Sequence, residues 1–256
     1  MTPPPAGGSS AVPRPPRAVL FDLDDTLYPE HAFVDGGFLA VGDLLAPRLN
    51  APSEQLAARL WALHAETGRG RLFDALLAEH GVHDDPDLVL ACVLVYRTHR
   101  PRIRPYDGVT DALDAIIRAG ARLGIVSDGS ASVQHRKLAG LGPIAARFEA
   151  VVMTDELGVG FAKPSPVPFR VACRLLDVPA TSAVYVGNDP RKDFKGARDA
   201  GLATIRMGRV PDEGGGRIIA VDPADDADRT IEDFPALAAL VAGWAQDPGP
   251  GRAGTR

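Results

Sequence analysis

The stretch at 19–31, VLFDLDDTLYPEH, sets three aspartates, Asp22, Asp24 and Asp25, within four positions directly behind a short apolar run. A short apolar run reads as a buried strand, so the acids fall where that strand ends. Like charges this close repel, and burying them together costs several kcal/mol unless a cation lies between them. The cluster therefore asks for a positive partner and for a fold that gathers strand ends in one place.

Comparable runs recur as RAVLFD at 17–22, RLGIVSD at 122–128, EAVVMTD at 149–155, SAVYVGND at 182–189 and ATIRM at 203–207. The segments between the later runs have helical spacing. In DGVTDALDAIIRAG, Val109, Leu113, Ile116 and Ile117 make one stripe that stops at a glycine. Alternating strand and helix predicts an α/β fold, a doubly wound parallel sheet of Rossmann-like type with helices on both faces. Residues 30–104 break the pattern, since SEQLAARLWALHAETG, RLFDALLAEHG and PDLVLACVLVYRTH are helical and no strand pattern intervenes. This predicts an all-helical unit inserted after the first strand, into a core formed by 17–29 and 105–243. Ligands of open α/β sheets bind beyond the carboxyl ends of the strands, so an insertion there is expected to cap the site as a lid. The Pro/Gly/Ser-rich segment 1–16 and the closing segment 244–256 are expected to be disordered tails.

A formal charge of -5 gives no bulk basic field for nucleic acid or an anionic membrane. No run approaches the ~20 apolar residues of a membrane span, and the first sixteen residues lack the apolar stretch of a signal peptide. Cys92 and Cys173 lie in apolar helical contexts without a CxxC pair, which reads as two buried structural thiols in a reducing, cytoplasmic setting.

The strand ends carry the chemistry. Asp22 and Asp24 follow the first strand, Ser127 and Asp128 the second, Asp189 and Asp193 the fourth, and Lys163 lies in the loop after the third, so all are expected on one face. Phosphate monoesters are among the least reactive biological bonds, and their hydrolysis calls for accelerations of up to ~10²¹. A carboxylate can attack phosphorus and form an aspartyl phosphate if a hard cation screens its repulsion with the phosphate. Mg²⁺ needs only one or two carboxylates plus a substrate oxygen. Lys163 and the Ser127 hydroxyl suit the other phosphoryl oxygens. Asp24 is placed to protonate the leaving oxygen and then to accept a proton from water. That role leads one to expect its pKa to be raised, by neighbouring like charge and by a closed lid.

With these motifs in order, the chain resembles the haloacid dehalogenase superfamily over 18 to about 207. FDLDDTLY is similar to its first motif, VSDG to its second, DELGVGFAKPSPVPF to its third and YVGNDPRKDFKGARDAG to its fourth, and 30–104 resembles its helical cap. The resemblance implies that Asp22 is the nucleophile, Asp24 the general acid/base, and Lys163 a catalytic and phosphate-holding cation. It implies further phosphate contacts at Thr26, Ser127, Asp128 and Gly129. It also implies Mg²⁺ held by the Asp22 side chain, the Asp24 backbone carbonyl and a fourth-motif acid. Many relatives have Gly-Asp where this chain has Gly187-Asn188, so Asp189 is taken as the direct ligand, with Asn188 and Asp193 behind it. Phosphatases and phosphomutases of this type carry an acid at the Asp24 position, and the dehalogenases lack it.

The expected function is Mg²⁺-dependent hydrolysis of a small phosphomonoester, such as a sugar phosphate, phosphoglycolate or a nucleotide. The alternatives are a phosphomutase or a non-catalytic phosphate-ligand-binding protein on the same scaffold. A signalling receiver domain is disfavoured, because its accepting aspartate would stand alone on a later strand. Elsewhere, GLGPIA at 140–145 reads as a helix stop rather than a dinucleotide fingerprint, and His80 and His83 read as a surface pair. Arg69 and Arg71, between two helices of the inserted unit, are candidate substrate contacts. Oligomeric state is left open.

Overall fold

In a computed structural model, described over residues 15–68, 70–208, 222 and 225–246, the elements run as follows. β1 is Ala18–Phe21, and four helices come next: α1 His31–Leu49, α2 Ser53–Thr67, α3 Leu72–Glu79 and α4 Pro86–Thr98. The chain continues as α5 Val109–Arg118, β2 Arg122–Ser127, α6 Ala131–Gly140, β3 Ala150–Met153, α7 Val167–Leu175, β4 Ala183–Gly187 and α8 Phe194–Ala200. It ends with β5 Ala203–Met207, β6 Arg229–Ile231 and α9 Phe234–Gln246.

The six strands form one parallel sheet in the order β3-β2-β1-β4-β5-β6. From β1 the chain winds outward to β3, then restarts at β4 on the other side of β1 and winds outward again. The order thus reverses between β1 and β4, which is where open α/β sheets hold their ligands. Parallel strands covered on both faces need continuous apolar sequence, and β1, at AVLF, is fully buried. Alternation sends Ala18 and Leu20 into a core with Val126, Phe169, Tyr185 and Phe194, under α7 and α8. Val19 and Phe21 point the opposite way. β6, three residues with two exposed, is too short and polar to stand out in the sequence.

By contact the chain divides into two compact units, one from Glu30 to Arg104 and the other made of the segments before and after it. The first contains α1 to α4 around its own apolar core, with Val34, Phe38, Val41, Leu60, Leu76 and Cys92 among its members. At Gly42 a Cβ atom would collide with the Ser53 carbonyl, so glycine lets α1 and α2 pack backbone to backbone. Of the segments expected to be tails, 1–14 and 247–256 lie outside the described residues, while α9 runs through Gln246, past the expected boundary at 244. Among the described residues no helix is long and apolar enough to cross a membrane.

Candidate active site at the carboxyl edge of the sheet

Register delivers the site. Phe21 pairs with Ile125 on one side and Val186 on the other, and the Asp22 N–H donates to the Val186 carbonyl at 2.9 Å. Asp22 therefore leaves the sheet level with Gly187, with Ser127, Asn188 and Asp189 one or two residues further along their own strands. The chain then turns sharply through Asp25, which takes a left-handed conformation at φ 52°, a region that short polar side chains tolerate.

Asp22 belongs to a fully buried ionic cluster. Lys163 Nζ donates to Asp22 Oδ1 at 2.7 Å, to Asp193 Oδ1 at 2.7 Å and to the Tyr185 hydroxyl at 3.0 Å. Tyr185 OH also donates to Asp193 Oδ1 at 3.0 Å. The other Asp193 oxygen accepts the N–H groups of Asn188 at 3.1 Å and Asp189 at 2.8 Å, so Asp193 holds the loop after β4 in place. A Cβ on Gly187 would lie 2.6 Å from Asp193 Oδ2, so only glycine admits that approach. Burial raises the Asp22 carboxyl to about 6, against the pull of Lys163 and with the added push of Asp193. Lys163 is opposed by its own burial, but the carboxylates Asp193 and Asp22 lift it well above the ordinary lysine range. Asp22 Oδ2 is buried and has no hydrogen-bond partner among the described residues.

Asp24 has a separate cage. Lys137 Nζ donates to both of its oxygens at 2.9 and 2.8 Å, Gln134 Nε2 donates to Oδ2 at 2.8 Å, and the Tyr28 hydroxyl makes a short bond to Oδ1. Gln134 Nε2 also donates to Ser127 Oγ at 2.7 Å, tying the end of β2 to the first loop. The expected upward shift of Asp24 is not what the structure gives. Burial does push it up, but the Lys137 charge and the bonds from Lys137, Tyr28 and Gln134 outweigh burial and leave the carboxyl below its ordinary value.

The remaining residues separate by role. Thr26 is buried and donates to Asn188 Oδ1 at 3.3 Å. Asp128 Oδ1 accepts from Thr154 Oγ1 at 2.8 Å and from the Lys163 N–H at 3.0 Å, so it braces the loop that carries the lysine. Gly129 follows at φ 111°, a conformation open to glycine. Asp189 is paired with Arg191: Oδ1 accepts from the Arg191 N–H at 3.0 Å and Nε at 2.9 Å, and Oδ2 from Nη2 at 2.6 Å. Burial pushes the Asp189 carboxyl up, but those bonds outweigh it and leave the carboxyl below its ordinary value. Among the described residues no group of three or more His, Cys, Asp or Glu side chains gathers as a metal site. Arg71 is engaged with Asp74 at 2.7 Å, and Arg69 lies outside the described residues.

Sequence reasoning missed Gln134, Lys137, Tyr28 and Tyr185. Only Tyr185 carried a signal, because a tyrosine in the middle of a buried strand needs a partner for its hydroxyl. It also missed Lys192, whose charge acts on Asp22 from beside Asp193.

The model of haloacid dehalogenase-like hydrolases matches residues 16–201. The chain belongs to that family. A glyceraldehyde 3-phosphate phosphatase from Methanopyrus kandleri is 36% identical over 224 residues, covering 85% of this chain and 91% of that one. A phosphoserine phosphatase from Thermus thermophilus is 28% identical over 226 residues, covering 75% and 89%. A crystal structure of a 2-haloacid dehalogenase from Pseudomonas syringae pv. Tomato matches with TM-score 0.58 at 28% identity, covering 89% of this chain and 99% of that one. Within the haloacid dehalogenase-like hydrolases the chain stands with the phosphatases.

Proposed function

We propose that the chain hydrolyses small phosphomonoesters, three-carbon phosphates of the glyceraldehyde 3-phosphate and phosphoserine kind foremost, through a phosphoaspartate on Asp22. The observation that carries the reading is the division of labour between two aspartates of one loop: Asp22 on a buried lysine with one oxygen left over, and Asp24 in its own cage of donors. Asp22 attacks phosphorus, the bond to the leaving oxygen breaks, and Asp24 gives that oxygen its proton. Water then attacks the phosphoaspartate, Asp24 takes a proton from it, and inorganic phosphate leaves with Asp22 restored. For the first step Asp24 must be protonated despite Lys137, and the negative charge of a bound phosphate pushes it that way. Lys163 neutralises charge beside the attacking carboxylate, and the Ser127 hydroxyl would donate to a phosphoryl oxygen.

Mg²⁺ fits the donors present. The partnerless Asp22 Oδ2 and the Asn188 side-chain oxygen are hard oxygen donors that would hold it at the switch point, and the Asp24 backbone carbonyl would be the third. Asn188 is preferred to Asp189 because both Asp189 oxygens are taken by Arg191. When bound, the ion would screen the repulsion between the Asp22 carboxylate and the phosphate. The helical unit Glu30–Arg104 is read as the substrate-selecting cap, and two buried free thiols, Cys92 and Cys173, support a cytoplasmic setting.

The test is phosphate release from glyceraldehyde 3-phosphate, phosphoserine, phosphoglycolate and a nucleotide, with Mg²⁺ and after chelation, beside Asp22→Asn. Release from at least one substrate, lost on chelation and in the variant, is expected. Equal turnover by Asp22→Asn overturns the mechanism, and full activity after chelation removes the metal.

A further inference from the structure

Lys137 has no role in the chemistry above, and its position is costly. Its side chain is only 5% exposed, on α6, and burying an ammonium without strong partners costs several kcal/mol. Its ammonium bonds both oxygens of one carboxylate, that of Asp24. Gln134 lies one turn earlier, is also buried, and reaches the same carboxylate while holding Ser127. α6 is itself fixed at its start, where the Ala131 N–H donates to Asp155 Oδ2 at 3.0 Å beyond the end of β3. We infer that Lys137, with Gln134 and Tyr28, is a positioning residue that holds the Asp24 carboxylate in the one orientation from which it exchanges protons with the leaving group and with water. The role rests on Asp24 being the proton carrier, and Lys137 acts through it rather than on substrate.

The experiment compares Lys137→Met, Lys137→Arg and Tyr28→Phe on an alkyl phosphate and on 4-nitrophenyl phosphate, whose leaving group departs without a proton. Because kcat/KM reports only through the first irreversible step, the attack by Asp22, it isolates leaving-group protonation. Lys137→Met is expected to lose roughly 10-fold or more in kcat/KM on the alkyl phosphate, part of the 10²–10⁴ a positioned acid supplies, and far less on the nitrophenyl ester. Lys137→Arg should recover part of the loss, and Tyr28→Phe should show the same substrate pattern if Lys137→Met does not fold. In an Asp24→Ala background Lys137→Met should add nothing. Equal losses on both substrates, or an additive loss in the Asp24→Ala background, overturn the inference. An Asp24→Ala enzyme as active as wild type overturns the reading beneath it as well.

On α4, Leu90 is 65% and Leu94 59% exposed, on the side opposite buried Leu88 and Cys92. Asp87 in the first turn and Arg97 in the last are exposed on the same stripe, at spacings of three, four and three residues. That stripe is symmetric about position 92. In an antiparallel pair of α4 helices Asp87 of each copy would meet Arg97 of the other, and Leu90 would meet Leu94. Among the described residues neither charge is paired within the chain. The geometry points to a second copy of this chain as occupant, across a two-fold axis. A helix of 13 residues offers a strip only about 20 Å long, short of the roughly 1,600 Å² of a standard interface, so the dimer should be weak and concentration-dependent.

Sedimentation equilibrium should show mass rising toward twice the 27.0 kDa chain as protein approaches about 1 mM. Leu94→Glu should return the monomer, as should Asp87→Arg alone or Arg97→Asp alone, and the two reversals together should restore the dimer. A monomer throughout, or a dimer indifferent to these changes, overturns the proposal, including where another protein occupies the stripe.

Discussion

Asp22 and Asp24 sit in one loop, each on a buried lysine, yet their carboxyls are displaced in opposite directions. At Asp22 the lysine is divided: Lys163 serves Asp193 and Tyr185 as well, one Asp22 oxygen has no donor, and burial wins. At Asp24 the lysine bonds both carboxylate oxygens, two further donors join it, and the charge wins over burial. The number of donors per buried carboxylate, more than the depth of burial, sets the direction in which each is displaced.

Asp22→Asn should lower kcat by about 10⁴-fold or more, the cost of removing a nucleophile, and steady-state phosphate release checks it. Next in size, Lys163→Met strips the cation shared by Asp22 and Asp193 and should cost about 3–5 kcal/mol in urea unfolding, the penalty for leaving buried charge uncompensated. Asp22→Asn should at the same time stabilise the metal-free protein by about 3 kcal/mol at neutral pH. The sign follows from the raised carboxyl: its ionised form costs stability above about 6, and the cost vanishes below 3.8, where folded and unfolded chains both carry the proton. A melting-temperature gain of the variant that persists unchanged into acid would show that the destabilisation is not electrostatic. The smallest change, Tyr185→Phe, removes one hydroxyl shared by Lys163 and Asp193 and should cost about 1 kcal/mol by the same unfolding assay.

Much of this arrangement was legible in the sequence, because strands and their terminal residues are local. Five apolar runs stand out without any tertiary knowledge, and the polar residues at their ends include Asp22, Ser127 and Asp193. Parallel pairing then fixes what lies level with what. Less legible were the partners that reach in from elsewhere. Gln134 and Lys137 sit on a short helix where polar side chains ordinarily face water, and nothing in SASVQHRKLAG says that both turn inward. At Asp189 the partner was hidden for a related reason. A carboxylate beside a fourth-strand end suggests a ligand, but Arg191 two residues later binds both of its oxygens. β6 escaped because RTI is short and two of its three residues are exposed.

The Tyr106 N–H donates to the Leu27 carbonyl at 3.0 Å, so the points where the backbone departs for Glu30–Arg104 and returns from it are stapled side by side within the sheet-bearing unit. The excursion is thus a closed detour. A tight turn could replace all of it without pulling any strand out of line, and a different detour of any length could be spliced onto the same two ends.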